Sequence, residues 1–184
     1  MSDRRERETV RLISLFYMLM AALALGLIAW RRDAFELDPL ALPGAGWAAA
    51  LAVTVGLVLV VHFLSRLAHA KLHGLRRAAW DMKRLLGNLS PVQVAIVALV
   101  SGVGEELLFR GWLMNETGVL FSSIVFGLIH FPPNRQWLYW PFFAFAMGLV
   151  LAWLYIWSGS LLFPILLHAG VNFFNLRMLL PPRL

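Results

Sequence analysis

Long apolar runs separated by short polar breaks make up most of this chain, and the breaks define its elements. Leu12 to Trp30 is apolar and follows Arg4, Arg5, Arg7 and Arg11, which predicts a first transmembrane helix with its N-terminus inside; no small-residue cleavage site precedes Arg31, so a signal peptide fits less well. A mixed-charge loop over Arg31 to Gly46 leads to a second span from Trp47 to about Leu64. From Arg66 to Leu89 the pattern changes: Ala68, Leu72, Leu75, Ala79, Met82, Leu86 and Leu89 recur at 4,3 spacing, while Arg66, Lys71, Arg76, Arg77, Lys83 and Arg84 fill the other faces. That is an amphipathic basic helix, suited to lying along anionic headgroups or, alternatively, to packing on neighbouring loops. Ser90-Pro91-Val92-Gln93 reads as a helix start with a capping box, opening a third span to about Leu113. Gly111 to Gly118 is expected as a loop, and a fourth apolar segment runs to Phe131, stopped by Pro132-Pro133-Asn134. The fifth span, Gln136 to Trp157, has Trp137, Tyr139, Trp140, Trp153, Tyr155 and Trp157 as aromatic belts, with Ala144 and Gly148 as a small-residue packing face. The sixth runs from Ser160 to about Leu180, with a kink expected at Pro164.

Composition agrees with this pattern. A chain of 184 residues, 60% hydrophobic with a mean hydropathy of +0.74, is too apolar for a soluble domain. The expected fold class is therefore all-α, a polytopic membrane bundle of about six transmembrane helices plus one amphipathic interfacial helix. One membrane domain covers 1–184, divided into two N-terminal spans (1–65), the amphipathic cytoplasmic helix (66–89) and a core (90–180). The net charge of +6 does not indicate nucleic acid, because the cations flank apolar spans rather than forming a face with exposed aromatics. Of 16 lysines and arginines, thirteen fall in or next to the proposed cytoplasmic segments, against Arg31 and Arg32 outside and Arg110 in the Glu105-Glu106-x-x-x-Arg110 stretch, which places both termini inside. With no cysteine, disulfides, thiolate ligands and a cysteine nucleophile are excluded.

Inside the spans the polar set reduces to Glu105, Glu106, Arg110, His130, His168 and Asn172. Intramembrane charge is costly and usually functional. On an α-helix Glu106 and Arg110 share a face and can pair, while Glu105 points about 100° away. A helix-locking ion pair accounts for Glu106 and Arg110, and interhelical hydrogen bonds account for a lone histidine or asparagine, but Glu105 lacks such an explanation. Counting helix rise puts Glu105 and His168 roughly 12 Å below the outer surface and His130 nearer 20 Å, unless its helix starts late at Ser122 or Ser123. A carboxylate near neutrality can act as a general base toward water, and imidazole and amide N–H groups can bind an oxyanion, so the set suits amide hydrolysis. A zinc site built from Glu105, His130 and His168 is the rival reading, although the H-E-x-x-H spacing is absent.

Glu105-Glu106-x-x-x-Arg110, then Phe126-x-x-x-His130, then His168-x-x-x-Asn172 resemble the three ordered motifs of the CPBP family of intramembrane proteases, over about Pro91 to Leu180. That family includes CAAX prenyl endopeptidases, bacteriocin-processing and self-immunity proteins, and glutamic-type, myxosortase-like enzymes. The resemblance implies that Glu105 is the catalytic base and holds the attacking water with His130. It implies further that His168 and Asn172 stabilise the oxyanion, that Glu106 and Arg110 support the site, and that no cofactor is needed. The family's older reading as metalloproteases keeps zinc as an alternative. The expected protein is a multi-pass protein of a bacterial inner membrane, with a membrane-protein or lipid-anchored substrate, anionic lipids as partners and no nucleic acid. The shallow outer position expected for Glu105 favours C-terminal processing or sorting of exported proteins over prenyl-protein processing. Against the protease stand a non-catalytic bacteriocin-immunity or membrane assembly factor and a proton or ion carrier.

Overall fold

The computed structural model describes residues 2–44, 46–131 and 139–179, and among them every regular element is helical. Seven helices follow in order: α1 (Ser2–Arg31), α2 (Trp47–Lys71), α3 (His73–Leu86), α4 (Pro91–Thr117), α5 (Val119–Ile129), α6 (Tyr139–Ser158) and α7 (Leu162–Leu179). Helices α1, α2, α4 and α6 are long and apolar enough to cross a membrane; α5, at 11 residues, is shorter than a full crossing, and α7 has 18. The chain is a multi-pass membrane bundle, as its pattern predicts. The Pro132-Pro133-Asn134 stop, Gln136, Trp137 and Leu180 lie outside the described residues.

Three boundaries differ from the sequence reading, each for a local reason. Residues 66–71 belong to α2 rather than to the amphipathic helix, because the backbone turns extended only at Leu72 (ψ 110°). Helix α3 therefore covers only 73–86 of the expected 66–89. No loop opens at Gly111, since α4 continues through it to Thr117 and ends at Gly118, whose φ of +85° favours glycine. Helix α5 then starts at once, so it has no late start at Ser122 or Ser123. Pro164 falls in the first turn of α7, where a missing N–H removes none of the helix's own bonds, and the expected kink has no cause there.

Helix α4 is the axis of the bundle. Its start is the predicted capping box: Gln93 N donates to Ser90 Oγ at 3.2 Å, and Ser90 N donates to Gln93 Oε1 at 2.8 Å. Small residues bring neighbours onto its backbone: a Cβ on Gly104 would stand 2.8 Å from Tyr17 O of α1, and one on Gly102 would stand 3.1 Å from Ala169 N of α7. Between apolar helices in lipid such close approach is a principal source of attraction. The expected small face of α6 is used in the same way, with Gly148 against Ser123 of α5. Polar contacts tie both ends. Glu6 at the start of α1 accepts a hydrogen bond from Asn88 N at 3.0 Å, and Arg31 at its end pairs with Glu116 at 2.7 Å. Helices α1 and α4 therefore run side by side in the same direction, and Glu105 sits 14 residues from one end of α4 and 12 from the other. It lies near mid-depth, deeper than its expected outer position, because α4 does not stop at Leu113. His130 is likewise 12 residues beyond Gly118, so the two are level without a late helix start.

Candidate active site

Between Leu107 and Leu113 α4 widens into a π-helical turn directly after the two glutamates, with Met114 N donating to Phe109 O five residues back. Such a turn leaves carbonyls imperfectly paired and is frequent at functional sites. Two side chains that the sequence reading did not single out for this role satisfy them. Ser122 Oγ of α5 donates to Phe109 O at 2.9 Å, and Asn115 Nδ2 reaches Arg110 O and Gly111 O at 3.2 and 3.0 Å.

The charged groups converge from α4 and α7. Arg110 Nη1 donates to Glu106 Oε1 at 2.8 Å, as i,i+4 spacing predicts, and both side chains are almost completely buried (1% and 0% exposed). His168 Nδ1 lies 2.7 Å from the same Glu106 oxygen, and since a carboxylate accepts, that ring nitrogen carries the proton. Phe126, buried at the centre of α5, lies beneath this cluster: the Arg110 guanidinium stands 4.3 Å from its ring centroid, and Phe109 and His168 meet it edge-on. The Phe126 carbonyl accepts from His130 Nδ1 at 2.7 Å, which fixes the tautomer of that ring as well.

With both Nδ1 positions committed, both Nε2 atoms face Glu105. His130 Nε2 is 3.7 Å and His168 Nε2 3.8 Å from Glu105 Oε2, too long for direct hydrogen bonds. Glu105 Oε2 is buried and accepts no hydrogen bond from the described residues. The Tyr17 hydroxyl of α1 also interacts with this carboxylate. The sequence reading missed Tyr17, which lies inside an apolar run with no charge to mark it. Asn172 sits one turn beyond His168 on α7, but its Nδ2 donates to Ser101 Oγ at 3.0 Å, one turn before Glu105. The fold thus gathers Glu105, Glu106, Arg110, His130 and His168 into one cluster, with Asn172 at its edge.

Glu105, His130 and His168 offer the donor types of a zinc site. Ligand atoms on a tetrahedral zinc ion stand about 3.3 Å apart. The two Nε2 atoms lie wider than this from Glu105 Oε2, and among the described residues no three His, Cys, Asp or Glu are placed to hold an ion. The donor set is suitable in type but does not fit as placed.

Fold and site together define a polytopic membrane protein with a buried carboxylate and imidazole cluster at mid-depth. Residues 87–174, just under half of the chain, match the family model described as type II CAAX prenyl endopeptidase Rce1-like. The resemblance carried by the three motifs is thereby borne out. Among curated proteins of Bacillus subtilis (strain 168), YpbD, named as an uncharacterized protein, is 29% identical over 86 residues, covering 47% of this chain and 45% of its own. A second, named "Putative membrane peptidase YdiL", is 31% identical over 100 residues, covering 50% of this chain and 39% of its own. The chain thus spans less than half the length of either relative. No solved structure matches it.

Proposed function

We propose that this protein is an intramembrane endopeptidase that hydrolyses a peptide bond of a membrane-associated protein, with Glu105 as general base. The observation that carries this reading is the buried, unpaired Glu105 Oε2 facing two imidazole Nε2 atoms. A water between these groups donates one hydrogen to Glu105 Oε2 and the other to His130 Nε2, whose lone pair is free because Nδ1 is held by Phe126. Glu105 takes the proton as the water oxygen bonds to the scissile carbonyl carbon. His168 faces the resulting oxyanion, and its Nε2 donates when the ring is an imidazolium, a charge supported by the Glu106 carboxylate on Nδ1. Asn172 keeps one amide N–H beyond the one spent on Ser101, available to the same oxyanion. When the C–N bond breaks, the proton on Glu105 passes to the leaving amine, and the water oxygen stays in the new carboxylate.

The family description and the printed name of the second relative both point to peptidase chemistry. An immunity or assembly factor keeping the cluster only for packing would gain nothing from a buried carboxylate oxygen left without a partner among the described residues, which costs stability. A proton or ion relay would need polar groups along a path, and these cluster in one place.

The mid-depth of Glu105 removes the ground for expecting an outer-leaflet substrate. Two substrate readings follow: the C-terminal tail of an exported protein in a bacterial inner membrane, and a prenylated C-terminal tail, which the family description favours. Protein in lipid nanodiscs, given a tail-anchored precursor and a farnesylated peptide in parallel, separates them. Cleavage of either one that is lost in Glu105→Gln supports the protease. Cleavage that survives the substitution overturns it. Chelator-treated enzyme keeps its rate on this account, whereas loss reversed by zinc alone favours the metal site.

A further inference from the structure

A concavity rimmed by charged side chains lies at the opposite end of α1 from Arg31. A cavity of about 400 Å³ is framed by Arg5 and Glu6 of α1, by Trp80, Lys83 and Arg84 of α3, and by the Gly87-Asn88 turn. Glu6 is buried there and accepts from Asn88 N, so its charge is partly committed to the turn. Among the described residues Arg5, Lys83 and Arg84 have no carboxylate partner, and Lys83 Nζ lies 5.8 Å from the Trp80 ring centroid. Elsewhere on the same helix end Arg4 is paired, with Glu8 at 3.1 Å.

The surroundings limit what can occupy this space. The start of α1 and the α3–α4 turn are joined by the Glu6–Asn88 bond, and the distribution of lysine and arginine puts this end on the cytoplasmic side. Trp80 is 65% exposed, as an indole anchored among headgroups would be. Three cations with no carboxylate partner among the described residues, set against the single carboxylate of Glu6 in the same lining, leave a net positive concavity at the depth of the headgroups that complements a phosphodiester whose acyl chains remain in the bilayer.

We propose that this cavity binds the headgroup of one anionic phospholipid of the cytoplasmic leaflet. Arg5 and Arg84 hold the phosphate from α1 and α3, Lys83 adds charge, and the Trp80 ring lies at the glycerol level. The lipid thereby bridges the N-terminal turn of α1 to α3, and it involves no residue of the Glu105 cluster.

Native mass spectrometry of the full chain, released from micelles doped with phosphatidylglycerol or phosphatidylcholine, tests the proposal. Wild-type protein is expected to retain phosphatidylglycerol in preference to phosphatidylcholine. The double variant Arg5→Gln/Arg84→Gln should retain it roughly thirtyfold less well, from the usual contribution of a surface cation, while Arg4→Gln stays at the wild-type level. Equal retention of both lipids, or an unchanged double variant, overturns the proposal. A thermal shift given by inorganic phosphate alone, matching that given by phosphatidylglycerol, shows the ligand to be free phosphate and also overturns it. If the double variant does not fold, headgroup-spin-labelled phosphatidylglycerol replaces it as the probe. Its quenching of wild-type fluorescence should be lost in Trp80→Phe, and undiminished quenching in that variant contradicts the site.

Discussion

Glu6 and Glu105 are both buried carboxylates, one at the cytoplasmic end of the bundle and one at its centre, and they are used differently. Glu6 accepts the Asn88 N–H and fixes the turn that launches α4; its burial is compensated by a backbone bond. Glu105 Oε2 accepts nothing from the described residues and instead faces the Nε2 atoms of His130 and His168 across 3.7 and 3.8 Å. Beside it Glu106 is tied into the structure through one oxygen: Arg110 and His168 both donate to its Oε1, while its Oε2, also without a partner among the described residues, does not face the two Nε2 atoms as Glu105 Oε2 does. A satisfied buried carboxylate builds structure, whereas an unsatisfied one aimed at groups that can orient a water is set up for chemistry.

Substitutions can break this contrast. Glu105→Gln should lower cleavage by at least about a thousandfold, within the range for losing a general base, and leave the melting temperature in detergent unchanged or raised. A large loss of stability would place Glu105 with the structural carboxylates. Glu106→Gln should do the reverse first, costing about 3 to 5 kcal/mol because it strands buried Arg110. Denaturant unfolding in micelles measures it, and an unshifted midpoint would mean that the pair is not structural. Tyr17→Phe, which removes the hydroxyl that interacts with the Glu105 carboxylate, should slow turnover by up to about tenfold, the weight of one modest polar contact, with KM unchanged. A change in KM alone would assign Tyr17 to substrate binding instead. Ser122→Ala, which leaves Phe109 O without its side-chain donor, should cost about 1 kcal/mol of stability. No change in unfolding would show that the π turn does not depend on that bond.

Much of the site was legible because its chemistry is written in residue types that apolar spans rarely contain. Glu105, Glu106, Arg110, His130 and His168 stand out against their neighbours, and i,i+4 spacing alone gives the Glu106–Arg110 pair. The Ser90 capping box was readable for the same reason, as a local rule met within four residues. The π turn was not, since the only charged side chain in Leu107–Leu113 is Arg110, whose spacing from Glu106 fits an ordinary helix equally well. That Gly111 continues the helix depended on tertiary packing: a Cβ there would lie 2.9 Å from Ile28 Cδ1, so the glycine serves helix contact and not a loop. This error propagated to the depth of Glu105 and to the preferred substrate side. Tyr17 was hidden because its one polar atom lies within an apolar run, and its partner is 88 positions away in sequence.

The central claim is that Glu105 activates a water and is not itself the attacking group. A single turnover in H2¹⁸O, followed by mass analysis of product and enzyme, tests it most directly. The account predicts one solvent oxygen in the new C-terminal carboxylate of the product and none in the Glu105 side chain. Label recovered in the peptide containing Glu105, with an unlabelled product, would mean that the carboxylate attacked the substrate and would contradict it.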